Sequence, residues 1–168
     1  MTSNAAESPD GASSAPDDAP IAIVAGHAEF ADGLISAVEK ITGRGARLVA
    51  VSNRGMGPAE IEATMRAAAD AGTVRVIFTD LPAGSCTIAA RRLLRDRPDL
   101  RLVTGANLPA VIDYVLSADG DAADALAHAV ERGRGALTVF APPAPAAVPP
   151  TPAAPLAAST GPEVGGAR

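Results

Sequence analysis

A chain with one cysteine cannot close an internal disulfide, and Cys86 has only His27 and His128 beside it as further soft ligands, too few for a structural zinc site. Aromatic residues make up only 2% and tryptophan is absent, so a core has to be built from Val, Ile, Leu and Ala. Such a core suits helices laid on a parallel sheet. No apolar run approaches the roughly 20 residues of a membrane-crossing helix. The N-terminus also lacks a basic start followed by an apolar stretch of the secretory kind. These absences point to a cytoplasmic protein that does not span a membrane. Excess positive charge is missing as well. Of the formal charge of -5, four negative charges sit on Glu7, Asp10, Asp17 and Asp18, while Glu163 and Arg168 cancel. The centre is left close to neutral, which gives no field for a polyanion, and nucleic acid is not an expected partner.

What is present is one domain between two biased ends. Residues 1–20 are rich in Ser, Ala, Asp and Pro without apolar periodicity, the composition of a disordered leader. From Ala141 the chain reads APPAPAAVPPTPAAP, and residues 141–168 are expected to form a disordered, dispensable tail of Pro and Ala with no catalytic role. Between them, in residues 21–140, short apolar runs alternate with helical patterns. Residues 21–25, 47–52, 74–78, 100–104 and 136–140 read as strands. Phe30, Leu34, Val38 and Ile41 form a helical stripe that stops at Gly43. Pro58 opens a second helix carrying Ile61, Met65 and Ala68 inward, and a third runs from the Ser85 region until Pro98 forbids its continuation. Asn107 resembles a cap for a fourth helix, and Asp121 begins a fifth that extends to about Arg132. The expected fold is α/β, an open and mainly parallel sheet of about five strands with helices on both faces.

In such sheets ligands bind beyond the carboxyl ends of the strands, where the strand order reverses. The first strand ends in Gly26-His27 and the third in Thr79-Asp80-Leu81-Pro82-Ala83-Gly84-Ser85. Singly, each of these residues has an ordinary structural account as a cap or a loop residue. If the two strands are neighbours, His27, Asp80 and Ser85 share one crevice. Asp80 would then select the tautomer of His27 and stabilise the cationic ring after the free nitrogen attacks a phosphoryl group. Ala83, Gly84 and Ser85 lead into a helix whose first amides are unpaired, a place for the phosphoryl oxygens.

GHAEFADGL around His27, TDLPAGS around Asp80 and Ser85, and VTGANLP at residues 103–109 together resemble the enzyme IIA component of the mannose-type sugar phosphotransferase system, over residues 21–140. The resemblance implies a phosphoryl carrier. His27 would take phosphate from the histidine phosphocarrier protein and pass it to a IIB component on a separate chain, with Asp80 orienting the ring and Ser85 contacting the phosphoryl group. It also implies a homodimer and no cofactor or metal. The sugar would be recognised by a downstream component. Two positions depart from the family's glycines. Ala28 adds only a methyl group, whereas Ala83 matters more if its backbone requires a positive φ.

A regulatory protein phosphorylated on His27 that signals by binding a target, without transport, keeps the same residues. So does a binding module that has lost transfer, and the related subunit of dihydroxyacetone kinases ranks below both. Arg91, Arg92, Arg95, Arg97 and Arg101 lie on or after the third helix, as a face for an acidic partner or as a solvated surface. Cys86 reads as structural, and His128 as an exposed or capping residue.

Overall fold

The computed structural model describes residues 19–71 and 73–142, so the expected leader and nearly all of the expected tail lie outside the described residues. Four strands form one parallel sheet: β1 (Ala22–Gly26), β2 (Leu48–Ser52), β3 (Val76–Thr79) and β4 (Arg101–Thr104), in the order β2-β1-β3-β4. The helices are α1 (Phe30–Thr42), α2 (Pro58–Asp70), α3 (Ser85–Asp96), α4 (Leu108–Ser117) and α5 (Ala122–Gly135). The chain steps from β1 to β2 on one side, then α2 carries it back past β1 to β3. Strand order therefore reverses between β1 and β3, whose register pairs Ala25 with Thr79.

Alternation along the strands divides the core in two. Ile23, Ala25, Val51 and Ile77 meet Ile61 and Met65 of α2 and Ala89 and Leu93 of α3 on one face. Ala22, Val24, Val76 and Phe78 meet Val38 of α1, Val111, Tyr114 and Val115 of α4, and Ala129 of α5 on the other. Helices thus cover both faces, which is why β1 reads as a continuous apolar run with no polar alternation.

Local chemistry sets the helix ends. Gly43 closes α1 at φ 70 with its amide bonded to the Glu39 carbonyl. The Glu60 carboxylate accepts from the Gly57 amide at 2.7 Å at the start of α2. Asn107 accepts from the Ala110 amide and donates to the Gly133 carbonyl, so it caps α4 while tying it to α5. Asp121 accepts from the amides of Ala123 and Asp124 and caps α5.

Two expectations change. Ile41, placed on the buried stripe of α1, is 62% exposed, because the stripe turns away from the sheet in the last turn. Ala136–Phe140 forms no strand. The α5 helix runs on to Gly135, and the residues that follow find no backbone partner among the described residues. Their β-branched, apolar composition gave the strand signal, but a strand needs a neighbour to pair with.

Phe78 is fully buried and meets the Tyr114 ring edge-on at a centroid distance of 5.5 Å. Phe78→Ala should lower stability by about 3–5 kcal/mol, read from urea unfolding. A loss below about 1 kcal/mol would contradict the central place given to this contact.

Candidate functional site

The parallel pairing of β1 with β3 brings Gly26-His27 and Asp80 side by side at the carboxyl edge of the sheet. Asp80 Oδ2 accepts twice from one residue, from the His27 amide at 2.8 Å and from Nδ1 of its ring at 2.6 Å. The remaining oxygen, Oδ1, is buried and has no hydrogen-bond partner among the described residues. Burial by itself would raise the Asp80 pKa. The bonds from the His27 ring and amide, the charge of that ring and the Leu81 amide together outweigh it and hold the carboxyl below its ordinary value. A group shifted down in this way contributes stability that is complete above the ordinary carboxylate range and is lost as pH falls through the lower folded value.

An ionised carboxylate only accepts hydrogen bonds, so the ring proton resides on Nδ1 and the lone pair on Nε2. The His27 side chain is 47% exposed while that of Asp80 is 10% exposed. The ring is therefore half-exposed on a fixed, mostly buried anchor.

Close approach dictates two glycines here. A Cβ on Gly26 would lie 2.5 Å from Phe30 Cδ1 and 3.0 Å from Asp80 Oδ2, and one on Gly84 would lie 3.0 Å from His27 Cε1. Gly84 is the residue before α3, and among the described residues no side chain caps that helix start. The open amides of α3 thus begin beside the imidazole, with Ser85 as its first residue, at the end of a helix that favours anions.

The structure brings His27, Asp80, Gly84 and Ser85 to one mouth of the sheet, and Ala83 occupies the exposed loop just before them. The two alanines exchange roles relative to expectation. Ala28 is the one non-glycine residue at positive φ among the described residues, at 49°, whereas Ala83 is not in that region. The turn that swings the chain from β1 into α1 imposes this conformation. Ser52, in register with Gly26, donates to the Ala28 carbonyl at 2.8 Å and supports it.

Sequence reasoning also passed over a buried pair of hydroxyls. Thr79 and Thr87 contact each other through their Oγ1 atoms at 2.6 Å, and Thr87 donates to the Leu81 carbonyl, so the Asp80 loop is stitched between β3 and α3. A threonine immediately before the acid was a usable signal; its partner eight residues on needs the folded loop. The Ala106 amide donates to the Thr79 carbonyl at 2.9 Å, which anchors the VTGANLP stretch to the same strand end.

Cys86 is buried, and burial, aided by the charge of Asp80, pushes its thiol up, which suits a packing residue. His128 is exposed and pairs with Asp113 at 2.7 Å. Of the five arginines noted above, Arg97 is tied to Asp70 and Asp99 and Arg101 to backbone carbonyls, leaving Arg91, Arg92 and Arg95 as exposed side chains.

The model of a protein family described as "PTS system fructose IIA component" matches residues 21–131. The chain belongs to this family. Its IIA fold also recurs in solved structures. Component EIIA of the phosphotransferase system from Streptococcus agalactiae superposes with a TM-score of 0.66 at 21% identity, over 71% of this chain and 96% of that one. The mannose/sorbose-specific IIA subunit from Enterococcus faecalis gives 0.64 at 25% identity, over 74% and 97%. The IIA protein associated with the fucose utilization operon of Streptococcus pneumoniae gives 0.63 at 23% identity, over 71% and 92%. No curated protein matches. The chain is therefore a IIA component of the mannose family of phosphotransferase systems, a family of phosphotransfer proteins, and no helix among its described residues is long and apolar enough to cross a membrane.

Ala28→Gly should raise stability by about 0.5–1 kcal/mol, since glycine removes a left-handed strain of about 1–2 kcal/mol and returns part of it as unfolded-state entropy. Thermal unfolding checks this, and a lowered midpoint would contradict the strain assigned to Ala28.

Proposed function

We propose that this chain is a phosphoryl carrier of a sugar phosphotransferase system. His27 accepts the phosphoryl group from the histidine phosphocarrier protein and passes it to a separate IIB component that serves sugar uptake. The observation that carries this reading is the His27–Asp80 pair, with Nδ1 held at 2.6 Å and Nε2 without a partner among the described residues, set beside the start of α3.

In this reading Nε2 attacks the phosphorus of the donor's phosphohistidine in line, a new N–P bond forming as the donor's N–P bond breaks. Asp80 keeps the nucleophilic tautomer and offsets the positive charge that the ring gains. The amides at the start of α3, contributed by the loop of Ala83, Gly84 and Ser85, and the Ser85 hydroxyl hold the phosphoryl oxygens. These groups are in place before transfer, so they stabilise the transition state without reorganising. A half-exposed nucleophile suits a donor and an acceptor that are themselves proteins. The same reading makes the protein a cytoplasmic homodimer, as the resemblance in its motifs implies.

Incubation with phosphoenolpyruvate, enzyme I and the phosphocarrier protein should place acid-labile phosphate on the wild-type protein and none on His27→Ala. Absence of label on wild type with cognate partners would overturn the proposal. Asp80→Asn should preserve the fold and slow phosphorylation by about 10²–10⁴-fold. An unchanged rate would remove Asp80 from the mechanism.

A further inference from the structure

The loop between β2 and α2 lies against both halves of the site. Gly55 turns it at φ 69, and the Asn53 amide donates to the Gly26 carbonyl at 3.1 Å, next to His27. Ser52 holds the Ala28 carbonyl, and Arg54 pairs with Glu29 and donates its amide to Ser52 Oγ at 3.2 Å. On the other side the Asn53 side chain reaches α3, where Nδ2 donates to Ser85 Oγ at 3.1 Å. This third loop thus bonds to the chain on either side of the histidine and to the serine.

We propose that Asn53 is a positioning residue that fixes Ser85 as a hydrogen-bond donor to the phosphoryl group. A hydroxyl has one hydrogen and two lone pairs, while an amide NH₂ can only donate. With Nδ2 of Asn53 on one lone pair, Ser85 cannot give its hydrogen to that neighbour, and the hydrogen is left for another acceptor. Ser85 follows Gly84, which lies against His27 Cε1, and the buried Cys86 sulfur beside its hydroxyl is only a weak acceptor, so the strong acceptor that arrives there is a phosphoryl oxygen. The bond to Asn53 also polarises the hydroxyl and strengthens what it donates. Because Asn53 is fastened to Gly26 through its own backbone, the spacing between histidine and serine is set across three loops. This inference rests on the phosphoryl-carrier reading of His27.

The test uses the full-length protein and single-turnover transfer from the phosphorylated phosphocarrier protein, measured against donor concentration. Asn53→Ala should lower the saturating rate by about tenfold, the worth of one such hydrogen bond, with the half-saturating donor concentration unchanged. Asn53→Gly keeps a good turn residue and adds no charge but removes the donor, so it should be as slow as Asn53→Ala. If Asn53 served the turn alone, Gly would restore the wild-type rate. In a Ser85→Ala background Asn53→Ala should cause no further loss. Wild type labelled on His27 with Asn53→Ala equally fast, or losses from Asn53→Ala and Ser85→Ala that multiply, overturns the role of Asn53 alone. A wild type that takes no phosphate overturns the carrier reading and this inference with it.

Discussion

Everything at the site depends on the parallel pairing of β1 with β3. That pairing sets Ala25 opposite Thr79, and the next residues of the two strands become Gly26 and Asp80 at the point where strand order reverses. A carboxylate brought there can take both the amide and the ring of His27 on one oxygen, so the histidine is fixed in position and in tautomer by a single partner. Burial is the largest single influence and opposes ionisation of the anchor, but the bonds and charge of His27 together with the Leu81 amide hold its carboxyl below the ordinary value. Glycine at 26 and at 84 is what lets carboxylate, ring and helix start approach this closely.

Much of this was legible in the sequence because it is written in local chemistry. Gly43, Pro58, Asn107 and Asp121 stop or start helices by rules that need only neighbouring residues, and all four do so here. The continuous apolar runs of β1 and β3 gave buried central strands. Position at the strand ends then led to His27 and Asp80, and the family match over residues 21–131 agrees with the resemblance seen in the same motifs. What stayed hidden depends on contacts distant in sequence. Residues 136–140 have a strand's composition, yet pairing requires a partner that composition cannot supply. Ile41 fits the helical period of α1 but falls in its last turn, where the stripe has turned away from the sheet.

The supports around the site were hidden for the same reason. Ser52 and Asn53 read as the end of a strand and a turn until the register places Ser52 beside Gly26. Ala28 looked harmless because a methyl group is small, but the backbone there is left-handed, and the strain comes from conformation and not from volume. Thr79 and Thr87 form a buried hydroxyl contact that only the folded Asp80 loop creates. His27 and Asp80 are thus visible in the chain, while the residues that hold their geometry emerge from topology.

The central claim is that Asp80 occupies Nδ1 of His27 and leaves Nε2 to react. Nitrogen–phosphorus coupling, measured by NMR on nitrogen-labelled protein after phosphorylation, identifies the nitrogen that carries the phosphoryl group. The geometry predicts coupling to Nε2, with Nδ1 still protonated and bonded to Asp80. Phosphorus bound to Nδ1 would contradict the account, because that nitrogen could react only by giving up the 2.6 Å contact on which the site is built.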